Sequence, residues 1–375
     1  MPVTIDGSLG ITTPMYNGSI TANAVTPSVN MKNRIINGGM VLSQRNGTSA
    51  VTIDGGASYT LDRYLCQDNT DGSYTVAQSS VAPAGFNNSL LVTITGTDSS
   101  LTTTQFGRIV QRIEGLNVGD LAWGTASAQT VTLSFWVRSS VTGTFSGTLV
   151  NDSGNRVYAF TYTINSANTF EYKTITIAGD TSGTWLTTNG TGIELNLSIG
   201  AGPDRSVTAG SWGTSLAYAA TGQTNLFATN GATFYLTGCQ LEVGSTATSF
   251  DYRPYGTELA LCQRYCQVSK GSDGLANNYV RIGYGPCQTS TAGIVEYKPL
   301  VTFRTQPTLT TSGNFAVYDG VTVTATTGVS IDSATTPYNV VIGWAVSGGG
   351  MTTTRGYEYI INNSSTASLT LSAEL

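Results

Sequence analysis

Histidine is absent from this chain. Its absence removes the commonest general base near neutral pH and the commonest zinc ligand. A serine or cysteine nucleophile is left without its usual partner. Charge is scarce too: Asp, Glu, Lys and Arg make up 10% of 375 residues, and the net charge is −5. The densest basic cluster, Arg108 with Arg112, has Glu114 beside it. Phosphate backbones need a basic patch, so no nucleic-acid partner is expected. No run of about 18 apolar residues occurs, so no membrane insertion is expected. The five cysteines are Cys66, Cys239, Cys262, Cys266 and Cys287. An odd set without a framework points to reduced thiols and synthesis in the cytosol. Met1-Pro-Val-Thr-Ile-Asp carries no charged n-region and no apolar h-region, so no signal peptide is expected. Heptads, internal repeats and Gly-x-y runs are absent as well.

What the chain has is hydrophobic content of 40%, 44 glycines, and a wealth of Thr, Ser and Asn. That composition argues against disorder and for an all-β protein with a hydroxyl-rich surface. Residues 1–33 show little apolar periodicity and read as an extended arm. Residues 34–255 alternate at period two. Leu90, Val92 and Ile94 share one face, as do Val131, Leu133, Phe135 and Val137, and Ile193, Leu195, Leu197 and Ile199. Turn clusters such as Asn69-Thr-Asp-Gly and Asn151-Asp-Ser-Gly separate the strands. The pattern predicts a β-sandwich, with loop 200–232 taking up its excess length. Residues 270–375 predict a second β domain, a C-terminal β-sandwich.

A short helix links the two, within residues 256–269. Thr257 is its expected cap, Glu258 lies in its first turn, and helical spacing runs to Val268. Leu259, Cys262 and Cys266 form one stripe, and Leu261, Tyr265 and Val268 another. Both stripes need cover. One arrangement packs the helix within its own chain; the other sets Leu259, Leu261, Cys262, Tyr265 and Cys266 at a contact between copies. Cys262 and Cys266 lack the second pair that a metal site needs, and they read as buried small side chains. No metal and no cofactor is expected.

No catalytic residue stands out. A glycosidase needs two carboxylates flanking the sugar bond. Glu171, Glu194, Glu242, Glu296, Asp204 and Asp251 show no spacing that singles out a pair. Binding is therefore expected instead of catalysis, and flat rings are the candidate contacts. Trp136 sits on the polar face of its strand. Trp185, Trp212 and Tyr218 lie in or near glycine-rich loops, and Trp344, Tyr357 and Tyr359 have polar strand neighbours. Packing competes with ligand contact at each. Loops Ser269–Asn278, with Gly271, Gly274 and Asn277, and Val346–Thr354, with Gly348, Gly349 and Gly350, allow close backbone approach to a ligand.

Several stretches carry a resemblance. They are Asn33-Arg-Ile-Ile-Asn-Gly-Gly-Met, Asp62-Arg-Tyr, Thr132-Leu-Ser-Phe-Trp-Val-Arg-Ser and Tyr172-Lys-Thr-Ile-Thr-Ile-Ala-Gly-Asp. Cys239-Gln-Leu-Glu, the aromatic-Arg-Pro segment at 252–254 and Glu258-Leu-Ala-Leu-Cys-Gln-Arg-Tyr follow. In that order they resemble tail fibre and tail-tip proteins of tailed bacteriophages, across most of residues 33–265. Phe303-Arg-Thr-Gln-Pro-Thr and Ser372-Ala-Glu-Leu resemble the C-terminal domains of phage tail proteins. The resemblance implies a jelly-roll-like sandwich akin to carbohydrate-binding modules. It also implies a homotrimer in the virion tail, made in the host cytoplasm, with the arm docked on other tail proteins. Residues 270–375 would then form the receptor-binding tip, and a host cell-surface glycan or lipopolysaccharide would be the partner. Calcium, common in such modules, is not expected, because the matching place, Gly238-Cys239, offers no carboxylate. Two other roles fit the same composition. One is a virion component without receptor function, such as a head decoration. The other is a polysaccharide-degrading tail enzyme, although the rungs of a parallel β-helix are not visible.

Overall fold

The computed structural model describes residues 4–6, 10–12, 31–274 and 278–375. The chain divides into two units, residues 1–32 and 33–375. In the first, Thr4–Asp6 pairs antiparallel with Gly10–Thr12. The rest of the expected arm up to residue 30 lies outside the described residues, as does Asn277.

Among its described residues the second unit is all-β apart from one short helix and several single turns. Two antiparallel sheets face each other. The seven-stranded sheet runs in the order Trp212–Gly213, Val157–Ile164, Gly143–Val150, Thr191–Ala201, Phe106–Glu114, Leu65–Asp68 and Ala57–Tyr59. The six-stranded sheet runs Glu171–Ile177, Val131–Ser139, Thr233–Val243, Ser89–Gly96, Ser73–Ser79 and Val51–Ile53. The period-two residues do what their spacing predicts. Leu90, Val92, Ile94, Val131, Leu133, Phe135, Val137, Ile193, Leu195, Leu197 and Ile199 all point into one core between the sheets. Trp136 is on the opposite face of its strand and half-buried.

The expected C-terminal β-sandwich takes the form of a closed six-stranded barrel beside a three-stranded sheet. Trp344, Tyr357, Tyr359 and Ile361 fill the barrel. Closure leaves the barrel no exposed edge, which a two-layer sandwich would have to protect by other means.

The helix spans Tyr255–Gln263, shorter than the sequence suggests, and Pro254 precedes it. Thr257 is inside the first turn, where its N–H donates to the Pro254 carbonyl, so it is not the cap. The helix stops because Cys266–Lys270 joins the three-stranded sheet and pairs with Ser368–Ser372. A residue cannot serve a sheet ladder and a helix together. Cys262, Tyr265 and Cys266 are consequently buried in their own chain and cannot form a contact between copies. Leu259 and Leu261 stay half-buried.

The linking segment is a seam and not a free hinge. Glu114 of the sandwich accepts hydrogen bonds from Arg264 (2.6 and 2.9 Å) and from the Tyr265 hydroxyl (2.6 Å). The last residues return to the sandwich. Glu374 pairs with Arg63 and Arg45, and the Leu375 carbonyl accepts from Arg112 and from Tyr59 at 2.8 Å.

Candidate functional site

The outer face of the six-stranded sheet carries an open cleft of about 440 Å³. Its aromatic walls come from four separate stretches: Phe86, Trp136 and Tyr172 on two neighbouring strands, and Phe250 with Tyr252. Trp136 and Tyr172 are directly opposite on neighbouring strands, with ring centroids 5.3 Å apart. Phe86, Phe250 and Tyr252 form a triad with centroids 4.9 to 5.6 Å apart. A smaller recess of about 100 Å³ continues beyond that triad, toward Gly39 and Val41.

The floor is set by a bulge. Along Thr233–Val243, Thr237 pairs with Trp136 and Gln240 with Ser134, so Gly238 and Cys239 both oppose Phe135. Gly238 has φ +62°, a left-handed conformation that suits glycine. A Cβ there would meet Phe86 Cζ at 2.7 Å and Trp136 Cδ1 at 3.0 Å. The bulge is pinned from behind by Asn33, whose amide donates to the Cys239 carbonyl and whose Oδ1 accepts from Leu241 N–H. The Asn33 to Met40 stretch is therefore the clamp that holds the bulge.

Side chains on the same strand bring Phe250 and Tyr252 home. Glu242 accepts from Thr248 N–H at 2.9 Å and from its hydroxyl at 2.6 Å. Gln240 Oε1 accepts from Asp251 N–H at 2.8 Å. These bonds fold 248–251 back onto the sheet and deliver Phe250 and Tyr252. Arg253 then turns inward, bonded to the Ile35 and Asn33 carbonyls and to Glu258. Tyr172 and Tyr252 remain 43% and 60% exposed, so both rings can accept a ligand.

The other candidate residues lie apart from this cleft. Trp212 packs edge-to-face with Trp123 and Trp185 at 5.4 Å, and its indole N–H donates to Ala178 O. Tyr218 stacks 3.8 Å from the Arg108 guanidinium, within the loop that folds over the seven-stranded sheet. It borders a polar cleft of about 410 Å³, whose Arg108 and Arg112 are already bonded to Glu194. Tyr357 is buried in the barrel and its hydroxyl accepts from Thr352 N–H, so it is not available to a ligand. Trp344 and Tyr359 are likewise buried, and Trp185 nearly so. Gly348, Gly349 and Gly350 all have positive φ in a turn at the barrel end. Gly271 is buried, and a Cβ there would meet the Ser364 carbonyl at 1.7 Å, so packing alone explains it.

Four of the six candidate acids already have partners, Glu242 through Thr248 as described. Glu194 holds Arg108 and Arg112, Glu171 holds Lys173 and two backbone amides, and Asp251 lies 3.6 Å from Arg253. The five cysteines are buried free thiols. Burial pushes the Cys66, Cys239 and Cys266 thiols up to about 12, so they stay protonated at neutral pH.

Nothing in the sequence marks Phe86, Tyr172, Phe250 or Tyr252 as ligand contacts. The signal for Tyr172 is its place on a strand at period two; Phe86 stands in a loop of small residues with no periodic signal.

No protein-family model matches the chain, and neither does any curated protein. Several solved structures are similar. The enzymatically active domain of bacteriophage CBA120 tailspike protein 4 matches 57% of this chain at 13% identity, with a TM-score of 0.31. The match spans 22% of that chain. A family 11 carbohydrate-binding module from Clostridium thermocellum, in complex with a β-1,3-1,4-mixed-linked tetrasaccharide, matches 54% of this chain and 98% of its own. Its identity is 11% and its TM-score 0.26. TmCBM61 in complex with β-1,4-galactotriose matches 48% of this chain and 88% of its own, at 11% identity and a TM-score of 0.25.

Proposed function

We propose that this protein binds a surface glycan through the cleft at Trp136, as a non-catalytic attachment component of a phage tail. One observation carries the binding: five aromatic rings from four separate stretches converge on an open cleft held by a glycine bulge. Sugar rings present apolar C–H faces, and flat aromatic side chains match them while losing few rotamers on binding. Hydroxyls of Tyr172 and Tyr252 and the backbone of 247–249 supply polar partners at the rim. The tail role follows from the motif resemblance. Weak single-site affinity would then be multiplied by copies in a trimer and on one particle.

A second reading keeps recognition at the C-terminal tip. Its observation is a recess of about 420 Å³ on the barrel, lined by Tyr279, Tyr318, Val323 and Ile360 beside the Arg281–Glu358 pair. An array of bacterial surface polysaccharides, probed with the full chain, separates the two. Trp136→Ala with Tyr172→Ala should abolish the signals, and Tyr279→Ala with Tyr318→Ala should leave them. The opposite pattern moves the site to the barrel. New reducing ends released from a bound polysaccharide would show an enzyme instead.

A further inference from the structure

Resting on that reading, we propose that the ligand is an acidic glycan and that Arg138 receives its carboxylate or phosphate group. Arg138 lies two residues beyond Trp136 on the Val131–Ser139 strand, on the same face, with Cα atoms about 7 Å apart. It is directly opposite Tyr235, as Trp136 is opposite Thr237. Its guanidinium carbon is 4.9 Å from the Tyr235 ring and 5.9 Å from the Phe170 ring. Among the described residues its side chain has no hydrogen bond and no ion pair, and its Nε is buried without a partner. Thr237 Oγ1, beside it on the same face, is also buried without a partner.

Such groups are costly to leave unpaired. Most arginines of the sandwich show the usual solution; Arg205, whose Nε is also buried without a partner and whose guanidinium lies 5.8 Å from the Tyr218 ring, is another exception. Arg34, Arg45, Arg63, Arg108, Arg112, Arg156 and Arg253 each hold a carboxylate. Arg138 instead is backed by two rings. Ring contact satisfies the face of a guanidinium and leaves its in-plane N–H donors free. A planar fork of donors fits the two oxygens of a carboxylate or phosphate. A sugar stacked on Trp136 would set an acidic substituent, its own or its neighbour's, over Arg138.

The test uses the full chain and matched pairs of probes. Uronate-bearing capsular polysaccharides are compared with their carboxyl-reduced forms. Phosphate-bearing lipopolysaccharide core oligosaccharides are compared with their dephosphorylated forms. The acidic member of a pair should bind at least tenfold more tightly, and the responding pair names the source of the charge. Arg138→Gln should bring the acidic form down to the level of its neutral partner, leave that partner unchanged and leave the melting temperature unchanged. Equal binding of both members, lost together in Trp136→Ala, would overturn the Arg138 assignment and keep the cleft. Binding that survives Trp136→Ala, or no binding across the panel, would sink the cleft with it. A change of oligomeric mass in Arg138→Gln without a change in glycan binding would assign the residue to a subunit contact instead.

Discussion

Trp136 and Tyr172 face each other across two hydrogen-bonded strands, with ring centroids 5.3 Å apart. The backbone ladder fixes both rings before any ligand arrives. Tyr172 is 43% exposed on an edge strand, so it adds little to the fold. Tyr172→Ala should cost about 1 kcal/mol of stability or less, the worth of one ring contact. It should weaken glycan binding roughly tenfold, which is about 1.4 kcal/mol. Urea denaturation and titration calorimetry read the two quantities separately.

Gly238 offers a sharper contrast. Gly238→Ala meets both a positive φ and a collision with Phe86 and Trp136. Gly244 has φ +114°, with nothing within 4 Å of the place of its Cβ. Gly244→Ala should therefore show backbone strain alone, about 1–2 kcal/mol. Gly238→Ala should lose more than that and lose glycan binding too. Equal effects of the two substitutions would show that the bulge does not shape the cleft.

The seam should be sensitive to acid. Burial disfavours the ionised form of Glu114, but hydrogen bonds from Arg264 and Tyr265 outweigh it and hold the carboxyl below its usual range. A carboxyl depressed in the folded state stabilises above its unfolded pKa, about 4.3, and that stability fades as pH falls through the folded value. Melting temperatures should drop as the pH falls below about 4.3. Glu114→Gln should start lower at pH 7 and fall less steeply across the same window.

Glu374 tests the return of the C-terminal residues. Its partner Arg63 is 2% exposed, so removing the carboxylate strands a buried cation. Glu374→Gln should cost about 3 kcal/mol, because a broken buried pair leaves an uncompensated charge. Replacing all three, as Arg45→Met and Arg63→Met with Glu374→Leu, should recover most of the loss, since an apolar cluster avoids the desolvation cost and strands no cation.

The sandwich was legible because period-two alternation depends only on neighbours along the chain. Val131, Leu133, Phe135 and Val137 went inward and Trp136 outward as spacing dictates. The cleft was largely not legible, because its parts meet through long-range bonds. Phe250 and Tyr252 reach Phe86 only when Gln240 and Glu242 fold their loop back. The helix end was misread for a related reason. Cys266 has helical spacing from Cys262, yet a partner more than 100 residues away, Ser372, claims it for a sheet. Tyr357 looked available because its strand neighbours are polar, but barrel closure turned it inward.

Trp136 is a direct reporter of ligand in the cleft. The chain has five tryptophans, so indole ¹⁵N labelling gives five side-chain signals. Single substitutions assign Trp123, Trp136, Trp185, Trp212 and Trp344. The full chain is then titrated with the polysaccharide fragment that binds it. Binding in the cleft should shift the Trp136 signal in proportion to occupancy while Trp212 and Trp344 stay in place. A static Trp136 signal with a moving Trp212 or Trp344 would contradict it.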